Sequence, residues 1–245
     1  MNKEWFKDWF ASEHYLDVYK HRNNADTERI INLILSNTKI SKGAKILDAA
    51  CGAGRHSIKF AKEGFDVTGF DLSQTLLNIA ERNAKLNSTN IKFLNSDLRS
   101  FNTESKFDLI VNLFTSFGYF ETDEENFAFI KTAYKLLQDS GYYILDYLNK
   151  NYVEHNLIKF TEKKVNGNKI EEHRSINNGR VEKKIIIKKN NVIKEFQESV
   201  KLYSYKELIS EISKIGFKLG MVFGDYFGDY FEEKKSERCI IIFQK

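Results

Sequence analysis

The chain has 245 residues, with 38 Lys and Arg against 34 Asp and Glu for a formal charge of +4, too small a surplus to argue by itself for a nucleic-acid partner. Apolar residues make up 42% and charged residues 29%, the balance of one large globular domain with or without an insertion, and no run of about 18 apolar residues offers a membrane span. Two cysteines, Cys51 and Cys239, exclude a disulfide framework or a zinc cluster, and proline is absent.

The first nine residues mix acids with aromatics and lack an apolar core followed by small residues, so no secretory signal is read and the cytoplasm is the expected location. Residues 5–19 predict an aromatic-rich helix, with Trp5/Trp9, Phe6/Phe10 and Tyr15/Tyr19 as i,i+4 pairs. These aromatics either pack on the domain or let Tyr15, Tyr19 or Arg22 close over a ligand. A second helix, about 26–38, has Ile30, Ile31, Leu33, Ile34 and Leu35 as its core face. Residues 1–43 thus read as a helical cap.

From Gly43 the pattern alternates: strand 45–50, helix 55–63 stopped by Gly64, strand 65–70, and a helix to about 87 with Ser73 as N-cap and Leu72/Leu77 as a hydrophobic staple. Ile91–Leu94 and Phe107–Leu113 predict a third and a fourth strand, the latter apolar enough to be buried on both faces. Asp123, Glu124 and Glu125 open a helix to about 138, and Gly141 turns into a fifth strand, Tyr142–Leu148. The alternation implies a parallel sheet covered by helices on both faces.

Near residue 150 the texture changes. After a short helical segment (152–159), four β-leaning stretches are separated by Asn166-Gly167, Asn178-Gly179 and Asn190-Asn191, hairpin signals that predict an antiparallel meander over 160–203. Lys183, Lys184, Lys188 and Lys189 flank Ile185-Ile186-Ile187 there. They form either a nucleic-acid patch or, the favoured reading, a solvated face whose lysines discourage edge pairing. A helix over Tyr205–Ile215 and strands at Phe217–Phe223 and Arg238–Gln244 close the chain. The tandem Gly224-Asp225-Tyr226-Phe227 and Gly228-Asp229-Tyr230-Phe231 lies between those strands, which must pair antiparallel. The expected fold is therefore α/β: a Rossmann-like seven-stranded sheet, six strands parallel and one antiparallel, built from 44–150 and 204–245. The meander is expected as a lid or substrate subdomain within 151–203.

The chemistry centres on Ile46-Leu47-Asp48-Ala49-Ala50-Cys51-Gly52-Ala53-Gly54-Arg55-His56, a strand, a glycine turn and a helix start. Asp71 follows at the end of the second strand. A strand–GxG–helix–strand–acid unit binds an adenosine ligand, because glycines let backbone N–H groups approach it and the acid takes ribose hydroxyls. Asp48 on the first strand, and Ser57 where a third glycine would stand, point away from a dinucleotide.

With its reversed terminal hairpin, this pattern resembles the class I S-adenosylmethionine-dependent methyltransferases, over about 44–149 and 205–245. It is similar in more detail to a bacterial small-molecule-type group with a β insertion after the fifth strand. The matching stretches are Leu47–His56, Val67–Ser73, Asn112–Phe120 and Asp146-Tyr147-Leu148-Asn149. The resemblance implies S-adenosylmethionine as cofactor and S-adenosylhomocysteine as product. Asp48 and the turn, with Ala50, Gly52, Gly54 and Arg55, suit the methionine end, while Asp71 suits the ribose diol. By the resemblance, Asp97 meets the adenine amino group, Leu72 and Leu98 flank the ring, and Asn112 lies at the ligand-binding sheet edge. Tyr15, Tyr19, His56, Ser116, Tyr119 and Asn149 are candidates near the transferred methyl group, and no metal site is expected.

The expected activity is methyl transfer to O or N of a small-molecule acceptor, by a monomer or homodimer. No membrane or nucleic-acid partner is expected. The alternatives are a methyltransferase acting on RNA or protein, or a non-catalytic cofactor-binding protein. Without proline, neither the Asn/Asp-Pro-Pro-aromatic motif of amino-methylating DNA enzymes nor the Pro-Cys nucleophile of cytosine-C5 enzymes is possible.

Overall fold

The structure, a computed structural model, describes residues 4–19, 24–190 and 192–245; Arg22, a candidate for closing over the ligand, lies outside them. The cap comprises α1 (Trp5–Ala11), α2 (Tyr15–Val18) and α3 (Asn24–Ser36). The single helix expected over 5–19 is thus two. Ser12 turns extended at φ −72° and ψ 135°, and its hydroxyl accepts the His14 amide at 3.2 Å, the local competition by which serine interrupts helices.

The α/β unit follows as β1 (Lys45–Ala49), α4 (Arg55–Lys62), β2 (Asp66–Asp71), α5 (Gln74–Leu86), β3 (Lys92–Asn95), β4 (Phe107–Asn112), α6 (Asp123–Leu136) and β5 (Leu137–Leu148). Ser73 caps α5 by accepting the Leu76 amide, as its position predicts. The fifth strand starts five residues before the expected Tyr142. Leu137 leaves the helix with extended dihedrals and pairs with Phe107, and a register shift before Leu109 absorbs the extra residues.

After α7 (Lys150–Asn156) come β6 (Phe160–Val165), β7 (Asn168–Asn177), β8 (Arg180–Lys189) and β9 (Val192–Lys201), then α8 (Tyr205–Ile215), β10 (Lys218–Phe223) and β11 (Arg238–Gln244). The large sheet has the order β10-β11-β5-β4-β1-β2-β3, and only β11 runs against its neighbours. Strands β6 to β9 form a separate antiparallel sheet in sequential order. Its turns place Asn166, Asn178 and Asn190 at φ of 47–49°, the left-handed geometry that tight hairpins require.

Period-two alternation builds two cores from one sheet. Ile46, Leu109, Val111, Ile144, Ile240 and Ile242 face Ile30, Ile31 and Ile34 of α3 and Phe60 of α4. Leu47, Ile110, Leu145, Ile241 and Phe243 face the other way, with Ile130 of α6 and Leu208 and Ile212 of α8. The meander does not stand free: Ile170, Ile185 and Ile187 bury against Trp5, Phe6, Trp9 and Val18 of the cap. Cap and meander together therefore form a roof over the carboxyl edge of the large sheet, where open α/β sheets bind ligands. No helix among the described residues is long and apolar enough to cross a membrane.

Candidate active site

The turn after β1 holds Ala50, Gly52 and Gly54 at φ of 55°, 56° and 80°. The two glycines do different work. A Cβ on Gly54 would lie 2.9 Å from the Ala80 Cβ and 3.2 Å from the Phe93 ring, whereas a Cβ on Gly52 would meet no atom within 4 Å. Gly54 lets α4 start against α5; Gly52 keeps the space before the turn open. Gly54→Ala should therefore destabilise the protein by about 2–4 kcal/mol, combining overpacking with left-handed strain. Gly52→Ala should cost about 1–2 kcal/mol of strain while weakening S-adenosylhomocysteine binding. Thermal melts and calorimetry on both variants check this, and the reverse ranking in stability would count against the assignment.

Asp48 is buried and its carboxylate accepts the Ser57 hydroxyl at 2.5 Å. Burial pushes its pKa up to about 7, the Asp71 charge adding to the rise and Ser57 opposing it. The ordinary aspartate value is about 3.9, so between the two values the folded state holds more proton than the unfolded state. The stabilisation is complete below about pH 4 and is lost as pH rises to about 7. In the absence of cofactor, Asp48→Asn should therefore gain in melting temperature over the wild type as pH rises from 5 to 8. A constant gap would show that Asp48 ionises normally.

Asp71, 7% exposed, accepts the Gly52 amide on one oxygen and the Ser73 amide on the other, both at 2.8 Å. Burial raises its pKa, and these backbone bonds offset part of the rise. The Ser73 hydroxyl donates to the Phe10 carbonyl at 2.7 Å, tying the cap to this turn.

Three connected spaces lie over the sheet edge. The first, about 160 Å³, is lined by Asp48, Ala50, Gly52, Arg55 and Asp71, and also by Tyr15, Tyr19, His56, Ser116 and Tyr119. Gly54 sits behind this wall. A narrow slot beside Asp71 is bounded by Leu72, Asp97 and Leu98, with Phe6, Phe10 and Phe120 from cap and loop. Burial works upward on Asp97, but Arg99 binds both its oxygens and holds its pKa below the usual value. Arg99 also lies 4.6 Å over the Phe120 ring and reaches Glu4 of the cap at 3.0 Å. His56 is buried with its ring 5.1 Å from that of Phe114, and the Arg55 guanidinium lies 3.9 Å from the same ring.

Two predicted residues stand apart. Asn112 faces a small interior void, its Oδ1 buried with no hydrogen-bond partner among the described residues. Asn149 caps α7 through the Asn151 amide and donates to the Glu233 and Ser236 carbonyls at 2.8 and 2.7 Å. Its side chain serves the fold, and it lines neither main cavity.

The larger cavity, about 270 Å³, shares Phe10, Tyr15, Tyr19, Phe114 and Tyr119 with the first and continues to Arg174, Lys183 and Glu198 of the meander and to Arg238. Sequence reasoning missed these four residues. Lys183 belongs not to a solvated face but to the inward row Val181, Lys183, Ile185 and Ile187 (a charge in an otherwise apolar row was the available signal). Lys184 and Lys188 do lie outward, paired with Glu195 at 2.8 Å and Glu171 at 2.9 Å.

The loop joining the cavities is strained: Phe114 and Thr115 have φ of 55° and 66°. Buried Asp146 holds it, accepting the Phe114 amide on its carboxylate at 2.9 Å and the Thr115 amide on its carbonyl at 3.0 Å. Arg238 clasps the same carboxylate at 2.6 and 2.9 Å and donates to Thr115 Oγ1 at 3.0 Å; Tyr226 adds a bond at 3.0 Å. Two successive left-handed non-glycine residues, held in place by an ion pair, mark a site where strain is retained.

Known proteins resemble this chain in sequence and in fold. Residues 46–141 match the model of a methyltransferase domain. The dTDP-3-amino-3,4,6-trideoxy-alpha-D-glucopyranose N,N-dimethyltransferase of Streptomyces venezuelae is 31% identical over 122 residues, 50% of this chain and 49% of that protein. A glycine/sarcosine N-methyltransferase of Aphanothece halophytica is 33% identical over 114 residues, 45% of this chain and 43% of that one. The chain spans about half the length, or less, of the curated relatives it matches. A solved S-adenosylmethionine-dependent methyltransferase from Clostridium acetobutylicum shares the fold, with a TM-score of 0.80 over 94% of this chain and 96% of that one, at 18% identity.

The solved structure is that of an S-adenosylmethionine-dependent enzyme, and the residues present here fit that cofactor. Asp48 and Asp71 are buried carboxylates on one cavity wall, the hydrogen-bond-accepting chemistry that an ammonium and a ribose diol call for, and the glycine turn leaves open the space a side chain would fill. Residues 46–141 therefore match a methyltransferase domain, and the seven-stranded sheet that contains them has the fold of the solved S-adenosylmethionine-dependent methyltransferase.

Proposed function

We propose that the protein transfers a methyl group from S-adenosylmethionine to a nitrogen or oxygen atom of a small-molecule acceptor. The observation that carries this is the cavity of about 270 Å³ that shares five aromatic residues with the Asp48–Asp71 cavity and is roofed by cap and meander. Concave spaces of this order, with aromatic walls and a few charged groups, suit small ligands. The names of the two relatives cited above, both N-methyltransferases, support nitrogen over oxygen.

When bound, the cofactor supplies an electrophilic methyl group on a sulfonium. The chain's own task is then orientation and exclusion of water. Asp48 and the glycine turn Gly52–Arg55 would hold the methionine end, Asp71 would take the ribose hydroxyls, and Leu72 and Leu98 would flank the adenine. Tyr15, Tyr19, Phe114 and Tyr119 stand where the two cavities meet and position the acceptor against the methyl group.

The test is incubation of the purified protein with methyl-labelled S-adenosylmethionine and a metabolite extract. Label in a small-molecule product is expected. Label confined to RNA or protein, or no label transferred from any pool, would overturn the proposal.

A further inference from the structure

Where the cap meets the meander, Tyr19, Glu198 and Lys183 form a closed hydrogen-bonded group, and all three line the larger cavity. The Tyr19 hydroxyl donates to Glu198 Oε1. The Lys183 ammonium donates to the Tyr19 oxygen at 2.5 Å and lies 2.6 Å from Glu198 Oε2. Trp9 Nε1 donates to Glu198 Oε1 at 2.6 Å. Lys183 and Glu198 are direct cross-strand neighbours on β8 and β9, so sheet register sets their separation. Tyr19 alone of the three also lines the cofactor cavity.

We propose that Tyr19 and Glu198 form the proton relay of the methyl transfer, with Lys183 as its positioning residue; this rests on the function proposed above. A phenol oxygen carries two lone pairs, so Tyr19 can accept from the methyl acceptor as well as from Lys183 while donating its own hydrogen. The acceptor's N–H or O–H bond breaks as a new O–H bond forms on Tyr19, and the original Tyr19 proton passes to Glu198 Oε1. A lone pair of the acceptor atom forms the bond to the methyl carbon, the pair of the broken N–H or O–H bond stays on that atom, and the pair of the old methyl–sulfur bond stays with sulfur. Charge is balanced locally. Lys183 is shared between Glu198 and Glu172, the latter at 3.4 Å, so the ammonium keeps a counter-ion once Glu198 is neutral. Among the described residues, Arg174 and Lys163 also face this pair, at 3.0 and 3.7 Å from Glu172, and the Tyr15 ring lies 5.0 Å from that of Tyr19.

The geometry also supplies a reporter. The chain has two tryptophans, so a Trp5→Phe background leaves Trp9, bonded to Glu198, as the only indole. In that background the fluorescence–pH curve should show a transition that Glu198→Gln abolishes. The transition midpoint should match the acid limb of the rate–pH profile, measured on the extract fraction that the wild type labels. Glu198→Gln and Tyr19→Phe should each lower kcat by about 10²-fold, the usual size of general-base loss, and flatten that limb. Glu198→Asp should restore the limb, and S-adenosylhomocysteine affinity should stay within about threefold in Glu198→Gln. Should Glu198→Gln fail to fold, Tyr19→Phe carries the same test. A limb that persists in both variants, with only KM raised, would make the trio a structural wall and overturn the relay while leaving methyl transfer standing. A wild type that labels nothing would remove both readings.

Discussion

Asp71→Ala should weaken S-adenosylhomocysteine binding by on the order of a hundredfold, about 3 kcal/mol. Two losses combine. The carboxylate is the buried acceptor at the end of β2 that suits the ribose diol, and it also holds the Gly52 and Ser73 amides in place. Without it, the Gly52 amide at the cavity wall loses its partner, so the glycine turn loosens as the ribose contact disappears. Asp71→Asn should fall in between, because its amide NH₂ cannot accept and one of the two backbone donors is then opposed. Isothermal calorimetry on the folded variants measures this, and unchanged affinity in Asp71→Ala would show that the cofactor lies elsewhere.

The largest stability effect is expected at Asp146. Asp146→Ala leaves the Arg238 guanidinium mostly buried without its carboxylate, at a cost of about 3–5 kcal/mol, or roughly a 10 °C lower melting temperature for a chain of this size. It also removes the acceptor for the Phe114 amide, so the strained pair Phe114 and Thr115 should relax and methyl transfer should fall with stability. The double variant Asp146→Ala/Arg238→Met should recover part of the lost stability, since no buried charge is then left alone, without recovering the loop. Equal melting temperatures for Asp146→Ala and the wild type would show that the ion pair is not what holds this region.

Much of the fold was legible because its signals are local. Strands such as Phe107–Asn112 announce burial on both faces by unbroken apolar character. Asn166-Gly167 and Asn178-Gly179 mark hairpins because few residues tolerate left-handed backbone, and Ser73 caps a helix through an amide three residues away. The helix break at Ser12 was less visible, because a single side chain–backbone bond outweighed the aromatic spacing around it. The early start of β5 at Leu137 was hidden for another reason: it depends on pairing with Phe107, thirty residues earlier, and not on the residues beside it.

The candidate site divides along the same line. The amino-acid sequence by itself determined the glycine turn and the acids Asp48, Asp71 and Asp97 and, through the family resemblance, the cofactor class, since each lies at or within two residues of the end of its own strand. Only the tertiary structure decided the acceptor side. It turned Lys183 inward beside Glu198, joined Asp146 to Arg238 across 92 residues of chain, and spent Asn149 on the loop carbonyls of Glu233 and Ser236. Those contacts arise where cap, meander and sheet edge converge. The physical reason is that an acceptor pocket is assembled from side chains whose neighbours are set by packing between elements, whereas a cofactor turn is assembled from backbone whose geometry is set within one.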